Sequence, residues 1–166
     1  EGITAGVGLD KESAYPAILK DLLEEHKPGL KVVNAGIKGE TITGINERID
    51  WMLQQRFSAI LLALSDQDLA PDDLKDWEQS IQKIRTTNPD ALIMVGIIKG
   101  TSSFSTIKTF FHPLGDLYNI EVLDLHLGVA NDKNDWWQKN GEYLSPKGQK
   151  ELAHKLHFLI EELLQK

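Results

Sequence analysis

The sequence predicts an α/β fold in which a parallel sheet lies between layers of helices. Short, continuously apolar runs alternate along the 166-residue chain with longer segments whose apolar residues recur at helical spacing. Strands that are apolar at consecutive positions are typical of parallel sheets, because both faces of such sheets are covered. The length suits one hydrophobic core, so we expect a single domain over residues 1–166.

The first half of the chain alternates helix and strand twice. Apolar residues three or four positions apart indicate the helices, and uninterrupted apolar runs indicate the strands. Pro28-Gly29 ends the first helix. In chain order, we expect a helix at residues 15–26, a strand at 30–34, a helix at 41–55 and a strand at 58–64.

The second half continues the alternation. Pro71 and the aspartates after it suit a helix start. Residues 102–118 stay open between a helix, indicated by an aromatic stripe, and a segment that Pro113 and Gly115 interrupt. Residues 131–141 are polar and read as a loop. We expect a helix at 71–87, strands at 91–98 and 120–125, and a last helix at 146–165.

The charge and composition exclude several classes of function. The net charge is 18 − 25 = −7, and an acidic surface repels phosphate backbones, so we expect no nucleic-acid partner. The absence of cysteine excludes disulfides, thiolate catalysis and cysteine-ligated zinc. The longest strongly apolar run, residues 59–64, is far too short to span a membrane. The sequence implies no cofactor and leaves the cellular compartment open.

Four segments together resemble the sequence blocks of a known enzyme family. EGITAGVGL is similar to the block G-D-S-[LI]-T-A-G, and VVNAGIKGET to V-N-x-[GS]-I-[SA]-G-[ED]-T. LLALSDQDL is similar to L-x-L-G-G-N-D, and WWQKNGEYLSPKGQ to D-G-x-H-[LP]-S-P-x-G. These are the blocks of the SGNH (GDSL-type) hydrolases, particularly the small bacterial thioesterases, lysophospholipases and arylesterases. The resemblance implies a three-layer αβα sandwich with a parallel, flavodoxin-like sheet.

The resemblance also assigns the family's chemical roles to positions of this sequence. Gly2 stands at the serine nucleophile, Gly39 at the oxyanion glycine, and Gln67 at the oxyanion asparagine. Asn140 stands at the aspartate that orients the base, and Tyr143 at the histidine base. Only Gly39 is unchanged, so no intact catalytic set is expected. A glycine has no attacking oxygen, and a tyrosine phenol ordinarily holds its proton until about pH 10, which makes it a poor general base.

Three functional hypotheses follow. The first is a pseudo-enzyme whose remnant cleft binds a small acyl or sugar ligand, with polar contacts from Gly39, Gln67, Asn140 and Tyr143. The second is an ester or thioester hydrolase with weak or rebuilt activity, of the lysophospholipase or acyl-esterase class. The third is a structural or interaction module of a longer protein. The identity of any protein partner stays open.

Several residues offer a rebuilt site. A replacement triad would combine a serine (Ser65 or Ser145) with His126 and an aspartate (Asp124 or Asp66). Ser145 reads more naturally as a helix cap before a proline. Carboxylates also suit hard cations, although solvated loop acids are the simpler interpretation; these acids are Glu1, Asp66, Asp68 and Glu142.

The remaining candidates have a structural interpretation beside the functional one. Trp136 and Trp137 either stack on a ligand or close the core beneath a loop, and the hydroxyls of residues 101–105 either line the cleft or begin a helix. His26 fits a helix C-terminus. His112, His154 and His157 are expected at the surface or partly packed.

In the family a strand leads into the first block, whereas this sequence starts at that block with Glu1. We therefore expect about six to ten further residues upstream, or another segment in that strand's place, because an interior strand supplies backbone hydrogen bonds to its neighbours.

Overall fold

The structure, a computed structural model, describes residues 1–127 and 135–164. Three parallel strands form its sheet in the order β1-β2-β3, with Leu62 opposite Val95 and Val95 opposite Val122. The strands are β1 (Ala59–Ser65), β2 (Leu92–Lys99) and β3 (Ile120–Asp124). The helices are α1 (Gly2–Ala5), α2 (Tyr15–His26), α3 (Ile42–Met52), α4 (Asp73–Thr87), α5 (Phe104–Tyr118) and α6 (Pro146–Leu164). The predicted α/β class, with a parallel sheet flanked by helices, is confirmed.

The chain divides into two compact units, each described here by itself. The central unit is Glu40–His126, and the terminal unit comprises Glu1–Gly39 and Leu127–Lys166. The prediction of a single domain over residues 1–166 stays a prediction.

The sheet and three helices build the core of the central unit. Successive residues along β2, such as Met94 and Val95, point to opposite faces of the sheet and are both buried, so both faces of this strand are covered. Trp77 of α4 and Phe111 of α5 are fully buried and meet edge to face, with their ring centroids 4.7 Å apart. The first two turns of α3 add Ile42 and Ile45 to the same core.

The terminal unit is built on the packing of α2 against α6. Leu19 and Leu23 of α2 are buried, as are Leu152 and Leu156 of α6. These residues are three or four positions apart within each helix, the spacing that places side chains on one helix face.

Most predicted elements are confirmed, and their ends shift by a few residues. The helix at 15–26 has the predicted limits, whereas α3 ends at Met52 and α4 begins at Asp73. The segment left open at residues 102–118 forms one helix from Phe104 to Tyr118 despite Pro113, because the stripe of Ile107, Phe111 and Leu114 is buried in the core. Residues 131–134 of the expected loop, and residue 165 of the expected last helix, lie outside the described residues.

The strand predicted at residues 30–34 is wrong. The described part of the chain contains no strand there, and Val33 is 55% exposed. A short apolar run becomes a strand only where a neighbouring strand accepts its backbone hydrogen bonds. The segment contributes to the fold through Asn34 instead. Within the described residues no helix has the length and apolar character needed to cross a membrane.

Candidate functional site

The segment that resembles the first family block folds as a single helical turn. Gly2 and Ile3 are buried within α1, and the turn ends at Gly6, whose φ of 70° lies in the left-handed region that favours glycine. Gly2, which aligns with the nucleophile of the resembled family, therefore opens a tight turn.

The segment that resembles the second block holds this turn in place. Asn34 Nδ2 donates to the carbonyl of Thr4 at 2.8 Å, and Asn34 Oδ1 accepts from the N–H of Gly36 at 3.0 Å. A Cβ atom on Gly36 would lie 2.5 Å from the backbone nitrogen of Ala5, so only glycine fits this approach. The asparagine and the glycine of the V-N-x-G pattern thus hold the helical turn of the first block in place.

Gln149 supports the same turn from α6, although it is not among the predicted site residues. Its Nε2 donates to the carbonyl of Ile3 at 2.9 Å, and its Oε1 accepts from the N–H of Tyr15 at 2.9 Å. The side chain is fully buried. The available signal was its position three residues before Leu152, which places a polar residue on the apolar face of α6.

Tyr15 packs beside this amide and is buried as well. Burial raises the pKa of Tyr15 to about 12, against a smaller lowering by the hydrogen bond with Thr4. Its hydroxyl lies 3.1 Å from Thr4 Oγ1. The turn that carries Gly2 is therefore held by the side chains of Asn34, Gln149 and Tyr15.

Tyr143 lies directly against Gly2. A Cβ atom on Gly2 would be 2.5 Å from Cε1 of Tyr143, 3.3 Å from Cδ1 and 3.4 Å from Cζ. Real Cβ atoms essentially never come within 3.0 Å of another heavy atom. The structure therefore brings the predicted nucleophile and base positions together, and the phenol ring fills the space into which a side chain at position 2 would project.

The Asn140 side chain makes its hydrogen bond within its own loop. Its Oδ1 accepts from the N–H of Glu142 at 3.0 Å, which is an Asx turn, and Gly141 between them has a φ of 66°. Gln138 closes the loop by accepting from Gly141 at its carbonyl and by donating from its N–H to the carbonyl of Tyr143 at 2.8 Å. The carboxamide at the orienting position thus stabilises the turn.

Gly39 is exposed and has a φ of 74°, and its N–H has no hydrogen-bond acceptor among the described residues. Nothing lies within 4 Å of the place where a Cβ would stand, so its backbone conformation is the feature that favours glycine here. The neighbouring Lys38 places its Nζ 5.9 Å from the centroid of the Tyr143 ring, within cation–π range.

In the central unit, the segment that resembles the third block follows the carboxyl end of β1. Gln67 is exposed in a 3₁₀ turn, Asp66–Asp68. Asp66 accepts hydrogen bonds from the N–H groups of Thr101 and Ser102, the latter at 2.9 Å. The residue that replaces a family glycine thus holds the loop after β2, while the Gln67 amide faces solvent.

Asp68 is buried and organises the start of α3. Its Oδ1 accepts from the N–H of Ile42 at 2.9 Å, and its carbonyl accepts from the Trp77 indole at 2.7 Å. Burial raises the pKa of Asp68 above its ordinary value, although hydrogen bonds from Ile42 and Ser65 oppose the rise. Its role is structural, and the structure gives Asp66 a similar one.

The serines of the alternative triads are engaged in caps and turns. Ser145 Oγ accepts from the N–H of Gly148 at 3.2 Å and donates to the carbonyl of Asp135, which confirms the helix-cap interpretation. Ser65 Oγ donates to Asp68 Oδ2 at 3.3 Å. His126 lies beside its sequence neighbour Asp124, with Nδ1 3.6 Å from Oδ1.

The other candidates divide between the functional and the structural interpretation. Ser103 caps α5 by accepting from Thr106 at 3.1 Å, so the hydroxyls of residues 101–105 begin a helix. Trp136 and Trp137 are both half-buried, and the Trp137 indole N–H is buried without a hydrogen-bond partner in the described part of the chain. In the ranges described, three potential metal ligands come together at His26, His157 and Glu161, not at the predicted loop acids.

A cavity of about 290 Å³ in the central unit lies at the opposite end of the strands. Leu92, at the start of β2, and Glu121, at the start of β3, line it together with Arg85. The Arg85 guanidinium is engaged by the fold, since it donates to the carbonyls of Pro89, Ala91, Tyr118 and Asn119. Ligand sites of parallel sheets form at the carboxyl ends, so this cavity is not the candidate site.

No protein-family model and no curated protein matches the sequence. Solved structures match it closely in fold. The psychrotrophic esterase EstA from Pseudoalteromonas sp., described as inhibited by monoethylphosphonate, has a TM-score of 0.81 at 18% identity, over 99% of this chain and 94% of its own. A family two carbohydrate esterase from Clostridium thermocellum, in complex with cellohexaose, has a TM-score of 0.61 at 12% identity, over 94% of this chain and 55% of its own. The fold is therefore SGNH hydrolase-like.

Proposed function

We propose that this protein has an esterase fold without serine-esterase chemistry, and that it binds a small acyl or sugar ligand with the polar groups at the former catalytic positions. One observation carries the proposal. The Tyr143 ring occupies the space beside Gly2, so position 2 has no attacking oxygen, and a side chain there would require the ring to shift. An acyl-enzyme requires an activated nucleophile at this point of the SGNH-like fold.

The remaining positions support the loss of chemistry. Asn140 Oδ1 is occupied by the N–H of Glu142 and carries no charge that would stabilise a protonated base. The hydroxyls of Ser65 and Ser145 are both engaged by neighbouring groups.

Unpaired polar groups support binding. In the terminal unit, the Gly39 N–H is exposed, Tyr143 is half-exposed, and the buried Trp137 indole N–H has no hydrogen-bond partner among the described residues. In the central unit, the Gln67 carboxamide is exposed. Polar groups of this kind orient a ligand, and the aromatic rings offer apolar contact.

A fluorophosphonate probe with p-nitrophenyl acetate as substrate tests the loss of chemistry. We expect no covalent labelling and no turnover above the rate in buffer. Labelling of a serine, located by mass spectrometry and abolished by Ser65→Ala, would instead support a rebuilt ester or thioester hydrolase.

Titration of ¹⁵N-labelled protein with hexanoate and, separately, with cellohexaose tests the ligand. We expect saturable shifts at the Gly39 amide, weaker affinity in Asn140→Ala, which lies in the same unit, and no change in the exposed control Gln54→Ala. Equal affinities in the two variants would remove Asn140 from the site. No binding of either probe would favour a structural or interaction module.

A further inference from the structure

We propose that His26, His157 and Glu161 form a zinc-binding site on the helix pair α2–α6, with a fourth coordination position open to water. The site is independent of the former catalytic positions. It lies within the terminal unit, which alone supplies all three side chains.

The helix geometry brings the three ligands together. His157 and Glu161 are four residues apart on α6, so they project from one helix face. His26 is the last residue of α2, which packs against α6 through buried leucines. The His26 and His157 rings lie with their centroids 5.3 Å apart at a tilt of 42°.

The distances between the ligand atoms suit a tetrahedral ion. His157 Nε2 is 3.5 Å and His26 Nδ1 is 3.7 Å from Glu161 Oε1, and one ligand atom from each of the three residues lies within 4.8 Å of the other two. Bonds of about 2.0–2.1 Å in a tetrahedron place ligand atoms about 3.3 Å apart. Small side-chain rotations therefore close the site.

A buried nitrogen without a hydrogen bond points to a ligand here, although it lies 3.5 Å from Glu161 Oε1. His157 has a side chain only 15% exposed, and its Nε2 is buried without a hydrogen-bond partner in the described ranges. A buried donor or acceptor that lacks a partner is costly, and a metal ion would satisfy it. His26 Nδ1 is 3.4 Å from the carbonyl of Leu22, a weak contact that a metal bond would replace.

The donor set selects the metal class. Two imidazole nitrogens and one carboxylate oxygen are a zinc set, and three protein ligands leave room for a water molecule. Calcium and magnesium prefer sites of oxygen ligands alone, so neither is expected to bind. The bound ion would join the end of α2 to α6.

Calorimetric titration of the untagged protein with Zn²⁺ tests the site, with His157→Gln and His26→Gln as ligand variants. The control is His112→Gln, because His112 faces Asp116 in a similar i,i+4 pair at 3.7 Å that lacks a third ligand. We expect one zinc per chain in the wild type and in His112→Gln. Each ligand variant should bind at least about tenfold more weakly, since even the loss of an outer-shell partner typically costs that much.

A second readout separates loss of a ligand from loss of folding. The histidine ring ¹⁵N signals of His26 and His157, but not of His112, should shift on addition of Zn²⁺, and Ca²⁺ should shift none of them. His26 is exposed, so His26→Gln should keep the unfolding midpoint of the metal-free protein. Absence of zinc binding in the wild type, or wild-type affinity in both ligand variants, would overturn the site. Neither outcome bears on the proposed loss of esterase chemistry, which rests on Gly2 and Tyr143.

Discussion

Gly2 and Tyr143 fit each other as a pair: the phenol ring lies where any side chain at position 2 would begin, with Cε1 2.5 Å from the position of a Cβ. Glycine at position 2 leaves room for the tyrosine ring, whereas a serine side chain there would require the ring to shift. A single Gly2→Ser substitution therefore cannot present a free hydroxyl at this point unless the ring moves away.

This relationship predicts a coupling between the two positions. We expect Gly2→Ala to lower the free energy of unfolding by about 1–3 kcal/mol, the usual cost of overpacking. In a Tyr143→Ala background the same change should cost less, with a coupling energy of about 0.5–3 kcal/mol measured by urea unfolding of the four variants. Strict additivity would contradict the contact.

The control for this cycle is Gly115→Ala. A Cβ on Gly115 would have no heavy atom within 4 Å, and the residue lies inside α5. Alanine is a better helix former than glycine, so this variant should gain about 0.5–1 kcal/mol.

Gln149 is expected to be a strong determinant of stability. Gln149→Ala removes the partners of the Ile3 carbonyl and of the Tyr15 N–H, and should cost about 1–3 kcal/mol for each buried group left unpaired. The matched change Gln67→Ala, at an exposed glutamine, should stay within about 0.5 kcal/mol of the wild type. Similar losses of stability in Gln149→Ala and Gln67→Ala would contradict this prediction.

Tyr15 predicts a loss of stability in alkaline solution. Its pKa of about 12 in the folded protein exceeds the ordinary value of 10.0, so the folded state keeps a proton that the unfolded state has released. The stability from this group is complete below pH 10 and disappears as the pH rises through 12. Between pH 8 and pH 11 the wild type should therefore lose about 1.4 kcal/mol relative to Tyr15→Phe. Chemical unfolding at both pH values measures the change, and a constant difference would contradict it.

The raised pKa of Asp68 likewise predicts a stability that falls as the pH rises, here in the acidic range. Burial raises its pKa above the ordinary value of 3.8, so the folded state binds the proton more tightly than the unfolded state. This contribution is present at low pH and is lost as the pH rises through the raised pKa. Relative to Asp68→Asn, the wild type should gain stability when the pH is lowered from 7 toward 4. A relative loss over this range would mean that the carboxylate is stabilised by its hydrogen bonds more than it is penalised by burial.

The sequence by itself determined the fold class and the identity of the residues at the positions that align with the catalytic residues of the resembled family. Continuous apolar runs and helical stripes are local patterns, and they indicate which residues of an element are buried. For this reason the helix at residues 15–26 and the strands at 58–64, 91–98 and 120–125 were predicted to within a few residues. A motif likewise states which atoms are present, and glycine at position 2 has no hydroxyl in any fold.

Tertiary structure decided the contacts between residues that are distant along the chain, because a local sequence pattern does not encode such partners. Residues 30–34 have the composition of a strand, but pairing requires a neighbouring backbone. Tyr143 reads as a poor base, yet only its approach across 141 positions shows that it fills the space beside Gly2. Gln149 reads as a surface glutamine until Ile3 and Tyr15 are brought to it, and His26 acquires His157 and Glu161 only when α2 packs on α6.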